Sequence, residues 1–132
     1  MTMVDRQSAC IVGYRVGFQR TEALMQEMLD EAPQANLYYS DGLVTYGALF
    51  YAPGTHISMR DKSKTYTVEG VNAVLRHYLA RLGRRSRCFS RCLQALRRAV
   101  KLFVYAWNQR QLYKQKYRAY DAHLIHFLYP LN

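Results

Sequence analysis

Two acidic residues stand where their side chains could do chemistry. Asp41 closes the run Tyr38-Tyr39-Ser40-Asp41-Gly42, which reads as a buried strand ending in an acid at a turn. Glu69 stands in Val68-Glu69-Gly70-Val71-Asn72-Ala73-Val74-Leu75-Arg76, which reads as the start of an amphipathic helix with an acid in its first turn. A carboxylate at a strand end and another at a helix start can converge on divalent metal. Hard Mg²⁺ or Mn²⁺ takes oxygen ligands and keeps waters. Two such ions about 3.5–4 Å apart activate a water or a 3′-hydroxyl and stabilise the leaving oxygen. A basic tract follows and runs to Arg98, which suits a phosphate backbone. The combination points to metal-dependent phosphoryl transfer on DNA.

Each acid also has a plainer reading. Asp-Gly is a common turn dipeptide, and an acid in a first helical turn suits the helix dipole. Asn72 and Arg76 favour the chemical reading, because they fall on the face of Glu69. An amide and a guanidinium there can orient a carboxylate or touch phosphate. Asp5 is a tempting third acid, but it falls at a strand end in a turn, away from a sheet centre. Cys88, Cys92, His123 and His126 miss the usual zinc-ligand spacings. His77 reads as a surface or DNA-facing residue.

The charge pattern supports a polyanionic partner. The chain of 132 residues carries a net charge of +10. Residues 1–59 balance to −3, with Arg6, Arg15 and Arg20 against Asp5, Glu22, Glu27, Asp30, Glu31 and Asp41. Residues 60–132 hold sixteen Lys or Arg against Asp61, Glu69 and Asp121, a balance of +13. Arg81, Arg84, Arg85, Arg87 and Arg91 crowd more cations into one short tract than solubility needs, and duplex DNA is the partner they fit. No apolar run approaches the roughly 20 residues that cross a bilayer, and the start of the chain does not read as a signal peptide. Three cysteines form no disulfide framework, so a reducing cytoplasm is the simplest setting.

The elements that must position these residues are short. A hairpin is expected from a strand ending near Val4 and another over Ala9–Phe18, joined by Asp5-Arg6-Gln7-Ser8. Thr21 caps a helix with Leu24, Met25, Met28 and Leu29 on one face, ended by Pro33. Residues 36–40 form a strand, 43–51 a short helix, and Thr55–Met59 a further strand. Val68, Val71, Leu75, Tyr78, Leu79 and Leu82 form the buried stripe of a helix stopped by Gly83, with Glu69, Asn72 and Arg76 on its polar side. A second helix over about 91–115 buries Leu93, Leu96, Val100, Phe103 and Trp107 and exposes Arg97, Arg98 and Lys101. The aromatic tail docks on the body. The expected fold is a single α/β domain of ribonuclease-H-like type lacking its first strand, with residues 1–82 as core and 83–132 as a basic helical extension.

The ordered set of segments resembles the DDE transposases of the insertion-sequence-one type. The two acidic runs carry the resemblance, with Arg84-Arg85-Ser86-Arg87-Cys88-Phe89-Ser90 and Trp107-Asn108-Gln109-Arg110. The resemblance implies a retroviral-integrase-like fold and three carboxylates that hold two Mg²⁺ or Mn²⁺ ions. Asp41 matches the second acid and Glu69 the third. The match for the first would lie upstream of Met1, as would the family's zinc-binding and helix-turn-helix region. The expectation is therefore a truncated transposase, inactive alone, that holds DNA near the nucleoid through Asn72, Arg76 and the arginine tract. It would act as a homo-oligomer or in mixed multimers with full-length transposase. The competing reading is a non-catalytic basic DNA-binding protein or an inhibitor of a full-length transposase.

Overall fold

In the computed structural model, which describes residues 1–17, 19–79, 92–119 and 122–128, the β-branched and aromatic residues at the start of the chain form two short strands. These are β1 (Thr2–Val4) and β2 (Ile11–Tyr14), paired antiparallel with a register shift between Met3 and Val4. The Asp5 carboxylate closes the connection by accepting from the Ser8 backbone N–H at 2.9 Å and the Ser8 hydroxyl at 2.5 Å. The Ser8 hydroxyl holds the Asp5 carboxyl below its usual range. Ala9 takes a left-handed φ of 58° in the same turn. Asp5 is thus committed to local turn structure, as its position in the sequence suggests. The expected strand over Ala9–Phe18 is shorter at both ends, because this turn consumes Ala9 and Cys10.

Helix α1 (Glu22–Glu31) starts where Thr21 accepts from the Leu24 N–H at 3.2 Å, and its buried Met25 and Met28 face inward. Gly13 lies against this helix, with room for a Cβ only 3.3 Å from the Met28 side chain. After Pro33 come β3 (Leu37–Ser40), the single-turn α2 (Val44–Gly47) and β4 (Thr55–Ser58). β3 and β4 pair parallel, from Leu37 opposite Thr55 to Ser40 opposite Ser58. Helix α3 (Tyr66–Tyr78) begins two residues before Val68 and buries Val71 and Leu75, whereas Tyr78, expected in the buried stripe, is 40% exposed. Helix α4 (Leu93–Lys116) buries Leu96, Val100, Phe103, Ala106 and Trp107 and leaves Arg97, Arg98 and Lys101 exposed. The tail folds back through buried Ala122 and Leu124 into α5 (Ile125–Leu128).

The core joins Ile11, Val71, Leu75, Phe103, Ala106, Trp107 and Leu124. It draws on β2, α3, α4 and the tail, and no residue of β3 or β4 belongs to it. Two polar groups pin β2 to α4. The Asn108 amide accepts from the Ile11 N–H at 2.8 Å and donates to the Ile11 carbonyl at 2.9 Å. The Trp107 indole N–H donates to the Ala9 carbonyl at 2.8 Å. Arg110 then holds the tail by donating to the Ala122 carbonyl at 2.7 Å. The Trp107–Arg110 run therefore clamps the hairpin and the tail onto α4.

One expectation needs correction. The strand before Asp41 is not buried: Leu37 is 51% exposed, and Tyr38, Tyr39 and Ser40 are half-buried. Among the described residues, none of β3 or β4 joins the hydrophobic core. The strands form two two-stranded sheets, β1–β2 and β3–β4. The mixed α/β architecture and the order of elements follow the expectation. Gly83 and Leu82 lie outside the described residues.

Candidate active site and nucleic-acid surface

Asp41 follows the last residue of β3, where the chain must turn. It is exposed, and its carboxylate accepts from the Leu43 N–H at 3.1 Å. That bond is an Asx turn, which leaves the remaining lone pairs toward solvent. The backbone of Asp41 is held from both strands. Its carbonyl accepts from the Ser40 hydroxyl at 3.0 Å and from the Ser58 hydroxyl at 3.3 Å. Ser40 Oγ also lies 2.7 Å from His56 Nε2. A hydroxyl has one proton, so Ser40 can satisfy both contacts by donating to Asp41 and accepting from the His56 ring N–H. The His56 ring stacks on Tyr51 with centroids 4.4 Å apart. Burial pushes the Tyr51 hydroxyl up to about 12, and it donates to the Tyr46 carbonyl at 2.7 Å.

Burial also lowers the His56 pKa below its ordinary 6.5. The charged ring is disfavoured in the fold, so His56 contributes stability that is full above 6.5 and is lost as pH falls through the folded value. His56→Gln should remove that loss. Urea unfolding of both proteins between pH 7 and pH 5 should show the wild type losing ground to the variant on acidification. Parallel curves would remove His56 from the support of the Asp41 turn.

Glu69 lies in the first turn of α3, exposed, with its carboxylate 3.4 Å from Lys62 Nζ. This ion pair is open to solvent and contributes little. A metal at Glu69 would have to displace it. The parallel pairing of β3 and β4 puts Asp41 and the start of the Met59–Thr65 connection at the same end of the strands. The Met59 N–H donates to the Ser40 carbonyl at 2.9 Å, and the connection then leads into α3 and Glu69.

Asn72 is not on a bare polar face. Its side-chain oxygen accepts from the Thr2 hydroxyl at 2.5 Å, which ties α3 to β1, and its amide N–H₂ is left over to donate. Arg76 is exposed in the last turn of α3. Arg81, Arg84, Arg85, Arg87 and Arg91 lie outside the described residues. The described basic surface is that of α4, where Arg97, Arg98 and Lys101 line a cleft of about 480 Å³ with Arg15, Glu27 and Glu31. Arg15 pairs there with Glu31 at 2.6 Å. Sequence reasoning passed over Ser40, His56 and Ser58, which hold the Asp41 turn. The only signal for them is polar residues at facing positions of two neighbouring strands.

The model of one protein family, the IS1 transposase family (DDE_Tnp_IS1), matches residues 2–114. The chain belongs to the IS1 transposase family. The matched span runs from β1 into α4 and contains Asp41, Glu69, the arginine tract and the Trp107–Arg110 clamp. IS1 family membership implies DNA transposition, and DDE transposases generally use divalent metals. No curated protein and no solved structure matches the chain. Among the described residues, no helix is long and apolar enough to cross a membrane.

The donor chemistry at Asp41 and Glu69 fits Mg²⁺ or Mn²⁺ in kind, since carboxylate oxygens are hard ligands. It falls short in number. Among the described residues, no three histidine, cysteine or acidic side chains gather into a metal-holding group. Two carboxylates carry two negative charges against the four positive charges of two divalent ions.

Proposed function

We propose that this IS1-family chain supplies part of a two-metal site for cutting and joining DNA, with Asp41 and Glu69 as two of its carboxylates. The observation that carries the reading is the family match over residues 2–114, within which both acids stand at turns that present them to solvent. When bound, the ions supply an activated nucleophile and a stabilised leaving oxygen. The chain's own residues do the positioning. Ser40 and Ser58 fix the Asp41 turn, Lys62 neutralises Glu69 until a cation replaces it, and Asn72 and Arg76 lie along the same helix for phosphate contact. The arginine tract and the α4 cations hold the duplex. The ribonuclease-H-like reading implies one continuous sheet, and the division into β1–β2 and β3–β4 is where a first strand carrying the third acid would stand. With two of the carboxylates that such a site needs, the chain works near the nucleoid with a third acid from another strand, as an oligomer or mixed with full-length transposase.

The expected result is no strand nicking or joining by this chain in Mg²⁺ or Mn²⁺, scored on supercoiled plasmid. Adding an upstream strand that carries an Asp should restore metal-dependent nicking, and Glu69→Gln in that longer chain should abolish it. Robust cleavage by the 132-residue chain would show that a residue within it completes the site. The competing reading, a non-catalytic DNA-binding protein or inhibitor, predicts that the extended chain also stays inactive.

A further inference from the structure

Helix α4 carries apolar residues on two faces. Leu96, Val100, Phe103 and Trp107 occupy the buried one. Away from them, Leu102, Tyr105 and Leu112 are each more than half exposed. These three belong to the row Arg98, Leu102, Tyr105, Gln109, Leu112 and Lys116, every member of which is exposed. With roughly 3.6 residues per turn, the row lies on the side of α4 opposite the core. Its members stand alternately four and three residues apart. That alternation is the repeat by which one helix packs along another. Single exposed apolar side chains are ordinary on a protein surface, whereas several aligned along one helix form an interaction surface.

The charges select the occupant. Arg98 opens the row and Lys116 closes it, and α4 contains Arg97, Lys101, Arg110 and Lys114 besides, with no acidic residue. Among the described residues, no acid pairs with Arg98, Lys101 or Lys116. Glu27 and Glu31 share a cleft with Arg97, Arg98 and Lys101, but both pair with Arg15. A second copy of α4 would set cation against cation at both ends of the row. Parallel pairing would place Arg98 on Arg98, and antiparallel pairing Arg98 on Lys116. Such like-charge contacts oppose association. Duplex DNA would satisfy the cations but leave Leu102, Tyr105 and Leu112 against a phosphate and sugar surface. An acidic amphipathic helix satisfies both the charged ends and the apolar middle.

We propose that this face of α4 is a docking site for an amphipathic helix of another protein, about five turns long, apolar at the same alternating spacing and acidic at both ends. Leu102, Tyr105 and Leu112 interdigitate with its apolar row. Arg98 and Lys116 meet its carboxylates. Gln109, a polar group inside the seam, fixes the register by hydrogen bonding to a polar side chain of the partner. Arg98 also lines the cleft beside α1, so the docked helix and a duplex held by the α4 cations overlap at one end of the face. The docking site rests on α4 alone and is independent of what Asp41 and Glu69 bind.

The test uses the full chain and a fluorescent helical peptide of about five turns, with leucines alternately four and three apart and glutamates at both ends. One control peptide has the same composition with the leucine spacing scrambled, and another has lysine for glutamate. Fluorescence anisotropy should show binding of the first peptide and much weaker binding of both controls. Changing Leu102 and Leu112 together to Gln should weaken that binding by about tenfold or more, with circular dichroism and affinity for duplex DNA unchanged. In the ¹⁵N-labelled unsubstituted chain, the peptide should shift the amides of Leu102, Tyr105, Gln109 and Leu112. Should the double variant lose its helical signal, this shift map decides alone. Equal binding of either control, binding that the double variant keeps, or shifts confined to other elements overturns the proposal. An equal loss of DNA affinity in the folded double variant overturns it too, because the duplex would then cover the face. So does sedimentation showing a dimer of the free chain that the double variant abolishes, because a second copy would be the occupant.

Discussion

Trp107→Ala should destabilise the fold by about 3–5 kcal/mol, the usual cost of removing a large buried aromatic side chain. Trp107 is 8% exposed, and its ring stacks on Phe103 with centroids 6.0 Å apart. Its indole N–H also satisfies the Ala9 carbonyl at the head of β2. The substitution therefore opens a cavity in the core that joins β2, α3, α4 and the tail, and it frees the turn of the hairpin. Asn108→Ala acts on the same joint by another route. It leaves both the N–H and the carbonyl of buried Ile11 without their partners, at about 1–3 kcal/mol for each group. Whole domains are stable by only about 5–15 kcal/mol, so either change takes a large share. Urea unfolding followed by circular dichroism checks both. A loss under about 1 kcal/mol for Trp107→Ala would mean that the hairpin is not docked on α4 as described.

DNA affinity should respond as strongly, through charge. The chain should bind duplex DNA weakly, without sequence preference, and lose affinity steeply as salt rises. Each phosphate contact made by a Lys or Arg contributes about 0.9 to the slope of log affinity against log salt. Changing Arg84, Arg85 and Arg87 together to Ala should weaken binding and lower that slope by about 2.7 if all three touch phosphate. Circular dichroism of the variant separates phosphate contact from misfolding, because a folded variant with a lower salt slope has lost contacts and not structure. Binding unchanged in strength and slope would remove the tract from the interface. The partner would then be sought on α4, where Arg97, Arg98 and Lys101 are exposed.

The helices were legible because their signals are local. The three-and-four spacing of Val71 and Leu75 in α3, and of Leu96, Val100, Phe103 and Trp107 in α4, predicts the faces that the fold buries. Thr21 and Pro33 bracket α1 for reasons contained in its own ends. The turn at Asp41 was legible from Asp-Gly. The sheet was not, because pairing is decided by distant partners. Leu37, Tyr38 and Tyr39 look like an inner strand by composition, yet their exposure depends on what lies beside them. Asn108 was illegible for a related reason. A polar residue in a helix reads as solvent-facing, and its two bonds go to Ile11, 97 residues earlier. The Asn72 bond to Thr2 belongs to the same class. Of the candidate site, the two acids and their turns could be read from local pattern, whereas the serine and histidine support around Asp41 required the β3–β4 register.

The central claim is that Asp41 and Glu69 serve one metal site, and Mn²⁺ binding followed by electron paramagnetic resonance tests it most directly. The account predicts weak binding by the wild-type chain and a clear loss in Asp41→Asn and in Glu69→Gln. The double variant should lose no more than either single variant, because groups that share a ligand are not additive. Losses that simply add, or Mn²⁺ binding that neither substitution changes, would contradict the claim and leave the two carboxylates as separate surface acids.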